Sequence, residues 1–410
     1  MVKKYCIVGN GIAGDAAATI IRENDLESDI TMVTEEGTPM YNRILLKEFA
    51  KGKVIEKSTK IRDEDWYLNK DIDLRLNTRV IRIDSREKII EMETGETQEY
   101  DLLLIATGGT PREMNVPGSD LEGIHHFWTI NDTQRIRKHA EVADDGVVIG
   151  GGLLGIDLAA ICAAHEIRGK YIMRGNVWWR NSLSKTGGEI INKSLEDKNV
   201  MPIFNKEIEC FKGSGGKVKS VVTNDGEVHE ADFVGVAVGL DYNIEMLQGT
   251  DVKCNNGILV DEYMFTGTDG IYSAGDVTEY QDVILGEKNQ NGDWGSAKKQ
   301  GAIAGWNMVN GNKFKKFEWV PSYSITHFEY PIVSFGHPSR GEEYIERKYG
   351  EKEWRRLAFK QGRLIGGVLI GNVSPQSAYK KLIVGKKRKI IQEPSLLNKK
   401  FNLKDIEERV

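Results

Sequence analysis

Short apolar runs and a glycine-punctuated helical stretch alternate at the start of the chain. KYCIVG reads as a buried strand, GNGIAGDAAATIIRE carries a turn into an Ala-rich helix, and DITMVTE reads as the next strand. Further on, the alternation in RVIRIDSREKIIEMETGETQEY predicts a meander of two or three strands, turning at Asp84–Arg86 and Thr94–Gly95. YDLLLIATGG predicts a fully buried strand that ends in glycines. A second strand, turn and helix unit is predicted at GVVIGGGLLGIDLAAICAAH, followed by KYIMRG. HEADFVGVAVGL and GILVDEYMFTGTDGIYSAGD return to the buried-strand pattern. From about Trp319 aromatics alternate with charges, which predicts hairpins, and a basic tail follows. The two glycine units are the only internal echo.

Composition narrows this picture mainly by exclusion. The 410 residues suffice for two or three domains. With 56 basic and 61 acidic side chains the net charge is −5, which gives no reason to expect nucleic-acid binding. MVKKYCIVGNG runs straight into a strand pattern with no room for a secretory signal, and no apolar run reaches the roughly 18 residues of a bilayer span. Cys6, Cys162, Cys210 and Cys254 are scattered without a C-x-x-C pair. That spacing argues against a disulfide framework, a zinc site and a protein-bound iron–sulfur cluster, and favours a reduced, cytoplasmic protein. His125-His126 has no spaced acidic partner, so no metal site is expected.

The chemistry lies in the glycines. Gly9-x-Gly11-x-x-Gly14 follows a strand and opens a helix, with Glu35 21 residues beyond Gly14. Gly9 permits the tight turn, Gly11 lets a pyrophosphate approach the backbone, and Gly14 lets helix and strand pack closely. The helix N-terminus then offers N–H groups to phosphate, and Glu35 can bind a ribose diol. Gly150-x-Gly152-x-x-Gly155 repeats the pattern, but its following strand ends in Met173 and Arg174 in place of a carboxylate. A carboxylate there favours NAD and an arginine can accept the 2′-phosphate of NADP. The all-glycine turn keeps NADH the first expectation, with NADPH open because Arg168 and Lys170 lie near Arg174.

Two cradles imply two dinucleotides, and further motifs assign them. TDGIYSAGD, ending in Gly275-Asp276, resembles the second FAD motif of the two-dinucleotide-binding-domain flavoproteins. Thr107, Gly108 and Gly109 resemble their connecting ATG motif, and DWGSAKKQ with Gly301 the start of their flavin-directed helix. The resemblance implies an α/β fold with two Rossmann-like dinucleotide-binding domains, the NAD domain inserted in the FAD domain, plus a small α+β C-terminal domain. It places FAD on residues 1–116 and 245–318, NAD(P)H on 117–244, and a cap and interface domain on 319–410. Gly9, Gly11, Ala13, Gly14, Glu35, Arg43, Thr107, Gly108, Gly109, Gly275 and Asp276 are the implied FAD residues. Gly150, Gly152, Gly155 and Arg174 are the implied nicotinamide-nucleotide residues.

Within that family the chain is most similar to NADH:rubredoxin and ferredoxin reductases and the flavin part of nitrite reductases. Tyr41-Asn42-Arg43, Trp66-Tyr67 and Trp294-x-x-Ala297-x-x-Gln300-Gly301 carry the likeness. Relatives with a redox thiol place a cysteine near YNRILLKEFAKGK, and none stands here. The resemblance therefore implies hydride transfer from nicotinamide to flavin, then one-electron steps to an external acceptor. The family's flavin-tuning lysine and glutamate correspond to Lys47 and Asp157. Lys47 falls one residue early, where Glu48 takes the lysine's place, about 100° round a helix. Trp294 corresponds to a tryptophan beside the flavin that offers electrons a way out. Trp178-Trp179 fits adenine stacking, a partner contact or edge packing equally. His327, Phe328 and Tyr330 are expected to close over the flavin.

The partners expected are NADH or NADPH and an acidic iron–sulfur or rubredoxin-like carrier, or the subunits of a larger redox complex, with self-association through the C-terminal domain. Eight basic residues and one acid, Glu393, between Lys380 and Lys400 form either a solvated tail or a docking patch for such a carrier. An oxidase that uses oxygen directly is the enzymatic alternative. A non-catalytic FAD-binding scaffold is the alternative from a different class.

Overall fold

The structure, a computed structural model, describes residues 2–385 and 394–401. The chain divides into two compact units. The first comprises Met1–Ile44, Glu56–Thr110 and Leu240–Pro321; the second comprises Leu45–Ile55, Pro111–Gly239 and Ser322–Val410. The helices are α1 (Ile12–Asn24), α2 (Arg43–Ala50), α3 (Glu64–Asn69), α4 (Ile130–Ala140), α5 (Leu153–Ala164), α6 (Lys185–Glu196), α7 (Trp294–Asn310) and α8 (Gln376–Val384).

The first unit is built on a parallel sheet in the order Ile271–Ser273, Leu102–Ile105, Lys4–Val8, Asp29–Val33, Ile72–Arg75. Consecutive residues such as Leu103, Leu104 and Ile105 are wholly buried, so both faces of the sheet are covered. That is why these strands read as unbroken apolar runs. α7 lies along α1 at backbone distance: a Cβ on Gly301 would stand 2.0 Å from the Ala13 carbonyl oxygen, and one on Gly305 2.9 Å from that of Ala17. The meander forms as the alternation predicts, with antiparallel strands Val80–Asp84, Ile89–Met92 and Thr97–Glu99.

The second unit repeats the parallel arrangement in the order Val200–Phe204, Arg168–Met173, Asp145–Ile149, Phe233–Val236, Ile124–His126. An antiparallel trio, Ile208–Ser214, Lys217–Thr223 and Val228–Glu230, accompanies it. Residues 322–370 form a five-stranded antiparallel sheet in the order Ser322–Ile325, Ile332–Gly336, Arg363–Ile370, Trp354–Lys360, Glu343–Lys348, and α8 packs on it. Its buried Trp354 presses on α6, where a Cβ on Gly187 would come within 2.9 Å of the indole. Within the basic run, residues 386–393 lie outside the described residues. Among the described residues no helix is long and apolar enough to cross a membrane.

Candidate functional site

Each parallel sheet ends in a glycine cradle, and the two cradles share one geometry. Gly9 has φ +110, and a Cβ there would lie 2.2 Å from the Ala106 carbonyl oxygen. Gly150 has φ +115, with the Ala237 carbonyl oxygen 2.0 Å from the equivalent position. Cβ atoms on Gly14 and Gly155 would each lie 2.0 Å from the carbonyl oxygen of their own cradle's first glycine, Gly9 and Gly150. Six positions are therefore sorted by cause: four need glycine for the protein's own backbone. At Gly11 and Gly152 an added Cβ meets no protein atom within 4 Å, so nothing inside the fold demands glycine there.

The two loops also share the way their helices begin. α3, α4, α6 and α7 begin under side-chain caps from Asp63, Thr129, Ser184 and Asp293. α1 and α5 begin at Gly11 and Gly152 with no side-chain cap. Their first-turn N–H groups and the positive end of the helix dipole are thus left for an anion.

Around the first cradle, a crevice is lined by Asn10, Gly11, Glu36, Tyr41, Arg43 and Trp294, among others. Glu36 is gripped by Tyr41 Oη and Arg43 Nη2, each donating over 2.5 Å. Glu35 stands exposed one residue earlier, and the structure does not bring it into this crevice. Asn10 Nδ2, Thr107 Oγ1 and Gln300 Nε2 are buried without a hydrogen-bond partner, while Gln300 Oε1 accepts from the Gly275 N–H at 2.8 Å. Gly275 (φ +87) and Gly108 (φ +66) turn their loops in conformations that favour glycine. A Cβ on Gly109 would come within 3.0 Å of the Asp241 carbonyl oxygen, and Ala13 is buried against α7.

Asp276 follows Gly275. Desolvation pushes its carboxyl up to about 6; Arg43 opposes the rise and Asp293 adds to it. Ionised Asp276 is therefore disfavoured by the fold, so this group's contribution to stability is intact below about pH 4 and lost as pH rises through about 6. Asp276→Asn should stabilise the cofactor-free protein at neutral pH by on the order of 1–3 kcal/mol. Urea midpoints of both proteins at about pH 7.5 and about pH 5 check this. The gap should shrink at the lower pH; an equal gap at both would contradict it.

In the second cradle the carbonyls are tied down from behind. Tyr171 Oη donates to the Gly150 oxygen at 2.8 Å, Trp178 Nε1 to that of Gly152 at 3.2 Å, and the Trp179 N–H to that of Gly151 at 3.1 Å. Trp178 is fully buried, and Trp179 holds φ +50. Of the three readings open for this pair, Trp178 takes packing, with the added task of fixing the loop. Met173 is buried at the strand end and Arg174 is exposed just beyond it, whereas Arg168 is committed to both oxygens of Asp145.

Lys47 and Asp157 are brought together, with Nζ 4.0 Å from Oδ1. The same Asp157 Oδ1 accepts from His327 Nε2. Tyr330 Oη donates to the Ile190 carbonyl in α6 at 2.9 Å. His327 and Tyr330, expected to close over a flavin, are committed to partners on α5 and α6. His125 pairs with His139 at 2.7 Å, and among the described residues no group of three potential metal ligands occurs.

A family model described as pyridine nucleotide-disulphide oxidoreductase matches residues 3–301. The chain belongs to this family. The rubredoxin NAD+ reductase C-terminal domain matches residues 321–387. The nitrite reductase [NAD(P)H] of Bacillus subtilis (strain 168) is 28% identical over 91% of this chain, which spans only 46% of that protein. The rubredoxin-NAD(+) reductase of Pseudomonas putida is 27% identical, covering 68% of this chain and 73% of its own. A ferredoxin reductase from Rhodopseudomonas palustris shares the fold with a TM-score of 0.91 at 21% identity, covering 98% of this chain and 99% of its own. The family's two-dinucleotide architecture thus accounts for both cradles in one chain.

Proposed function

We propose that this family member is an FAD-dependent NAD(P)H oxidoreductase that passes electrons to a one-electron protein acceptor. The acceptor is a rubredoxin- or ferredoxin-like carrier, or an iron–sulfur subunit of a larger complex. The observation that carries the reading is the pair of uncapped glycine cradles in a chain without a redox thiol pair. Burial pushes the Cys6 and Cys162 thiols up to about 12, so both stay protonated and unreactive. All four cysteines are unpaired, which suits the reducing cytoplasm.

Bound FAD would supply the change from two-electron to one-electron chemistry. In this reading Gly9, Gly11, Ala13 and Gly14 hold its pyrophosphate, Thr107, Gly108 and Gly109 line its approach, and Gly275 and Asp276 meet the ribitol. Arg43 sets the charge of the crevice through Glu36, which takes the ribose role first expected of Glu35. Asp276, held near 6, can shift between accepting and donating a hydrogen bond to a hydroxyl. Gly150, Gly152 and Gly155 receive the nicotinamide nucleotide, with Arg174 the cation nearest the strand end. NADH is the preferred donor, and the Lys47–Asp157 pair tunes the flavin. Trp294, at the first position of α7 and on the crevice wall, is the outlet towards the acceptor.

Because Trp178 anchors the second cradle, Trp178→Phe should weaken NAD(P)H binding about tenfold while leaving FAD content unchanged. The loss corresponds to one hydrogen bond of about 1.4 kcal/mol. Nucleotide titration of the FAD-loaded protein measures it. The function itself is tested by comparing acceptors under NADH. Fast reduction of a rubredoxin or a viologen with slow oxygen consumption is expected. Oxygen consumption matching the fastest carrier would instead make the protein an oxidase.

A further inference from the structure

Lys47 and Asp157 do not stand alone. Glu48, Lys51 and His327 continue from them in an unbroken line. Lys51 Nζ lies 2.6 Å from Glu48 Oε1 and 3.3 Å from His327 Nδ1, and His327 Nε2 bonds Asp157 Oδ1. The middle of the line is buried, with the Lys51 side chain 4% exposed and that of His327 1%, while Glu48 and Asp157 on either side are partly exposed. Residues 276 positions apart meet here, and Lys198 Nζ, donating to the His327 carbonyl at 2.9 Å, fixes the backbone that carries the ring. The other charges at its ends are Lys47 beside Asp157 and Lys53, 3.8 Å from Glu48.

Donor and acceptor capacity sets the ring's proton. An ammonium only donates, so the Lys51 contact makes Nδ1 an acceptor and leaves the proton on Nε2, where it faces the Asp157 carboxylate. This arrangement has a second state reached without turning the ring. Lys51 gives a proton to Nδ1 as Nε2 gives its proton to Asp157. The products are a neutral amine, the opposite imidazole tautomer and a protonated Asp157. Two N–H bonds break, one N–H and one O–H bond form, and no proton enters or leaves the cluster. Desolvation already holds the Lys51 ammonium below its ordinary value, against the pull of Glu48. Burial raises the Glu48 carboxyl, but the Lys51 bond together with the charges of Lys51, Lys53 and His327 outweighs it, so Glu48 stays ionised and steadies the first state.

We propose that Lys51, His327 and Asp157 form an internal proton switch that changes the charge of the Lys47–Asp157 pair with the redox state of the protein. With Asp157 ionised the pair is neutral overall. With Asp157 protonated Lys47 is left as an uncompensated cation, which favours the negative charge that arrives with a hydride. When electrons leave, the protons return. His327 and Lys51 are thus positioning and proton-holding residues. The proposal rests on the flavin role given to Lys47 and Asp157 above.

Reduced-minus-oxidised infrared difference spectroscopy of the FAD-loaded protein tests it, with dithionite as reductant so that NAD(P)H use plays no part. A protonated-carboxyl band that shifts in deuterium oxide should appear on reduction. It should vanish in Asp157→Asn, His327→Gln and Lys51→Met; the lysine variant serves if the buried histidine variant misfolds. No band in the unmodified protein, or a band that survives in a folded His327→Gln or Lys51→Met variant, would overturn the switch. Failure of NADH to reduce a protein that shows the band would instead sink the oxidoreductase reading alone.

Discussion

Gly11→Ala should give a folded protein that purifies without yellow colour. The added methyl meets no protein atom within 4 Å, and the N-terminus of α1 that it overhangs carries no side-chain cap. The cost falls entirely on a group that must approach the backbone there, and overpacking of that kind is worth about 3 kcal/mol, or at least a hundredfold in FAD affinity. Gly14→Ala provides the contrast, because its methyl would lie 2.0 Å from the Gly9 carbonyl oxygen. It should damage the fold itself. Circular dichroism melts alongside FAD content separate the two. A Gly11→Ala protein that keeps its flavin would show that the pyrophosphate does not lie where the cradle puts it.

Gly152→Ala should give the complementary result: a yellow protein that NADH no longer reduces. Gly152 also has open space where a Cβ would stand, and it begins α5 without a cap. The Gly152 carbonyl is already fixed by Trp178, so the loop has little freedom to move aside for the methyl. The expected loss in NADH affinity is again about a hundredfold, with FAD content and thermal stability unchanged. Dithionite should still reduce the variant. An unchanged NADH titration would remove the second cradle from the nucleotide site.

Most of the scaffold was legible in the sequence, for identifiable physical reasons. Positive φ at Gly9 and Gly150 and the tight packing at Gly14 and Gly155 leave glycine as the one residue that fits, so spacing alone exposes them. Strands buried on both faces read as apolar runs, and the meander of residues 80–99 announces itself by alternation. The trio Ile208–Ser214, Lys217–Thr223 and Val228–Glu230 did not, because glycines and lysines interrupt its pattern.

Within the site, legibility fell as the sequence separation of partners grew. Lys47 and Asp157 could be paired only through a family likeness. His327 carried no sign of its partners, since its bonds to Lys51 and Asp157 join segments with no local pattern in common. The choice between Glu35 and Glu36 turns on where Tyr41 and Arg43 point, which spacing does not encode. For Trp178 the sequence left adenine stacking, a partner contact and edge packing open; it is a buried anchor because its indole N–H has a carbonyl of the glycine loop to serve.

The central claim, that one chain holds both nucleotides and passes electrons outward without a thiol, meets its most direct test in an anaerobic titration. The purified protein's flavin absorbance is followed while NADH is added, and a one-electron carrier is then introduced. The account predicts bleaching by about one equivalent of NADH and recovery of the oxidised spectrum as two equivalents of carrier are reduced. Alkylating the cysteines beforehand should change neither step. A flavin that NADH leaves oxidised, or bleaching abolished by alkylation, would contradict it.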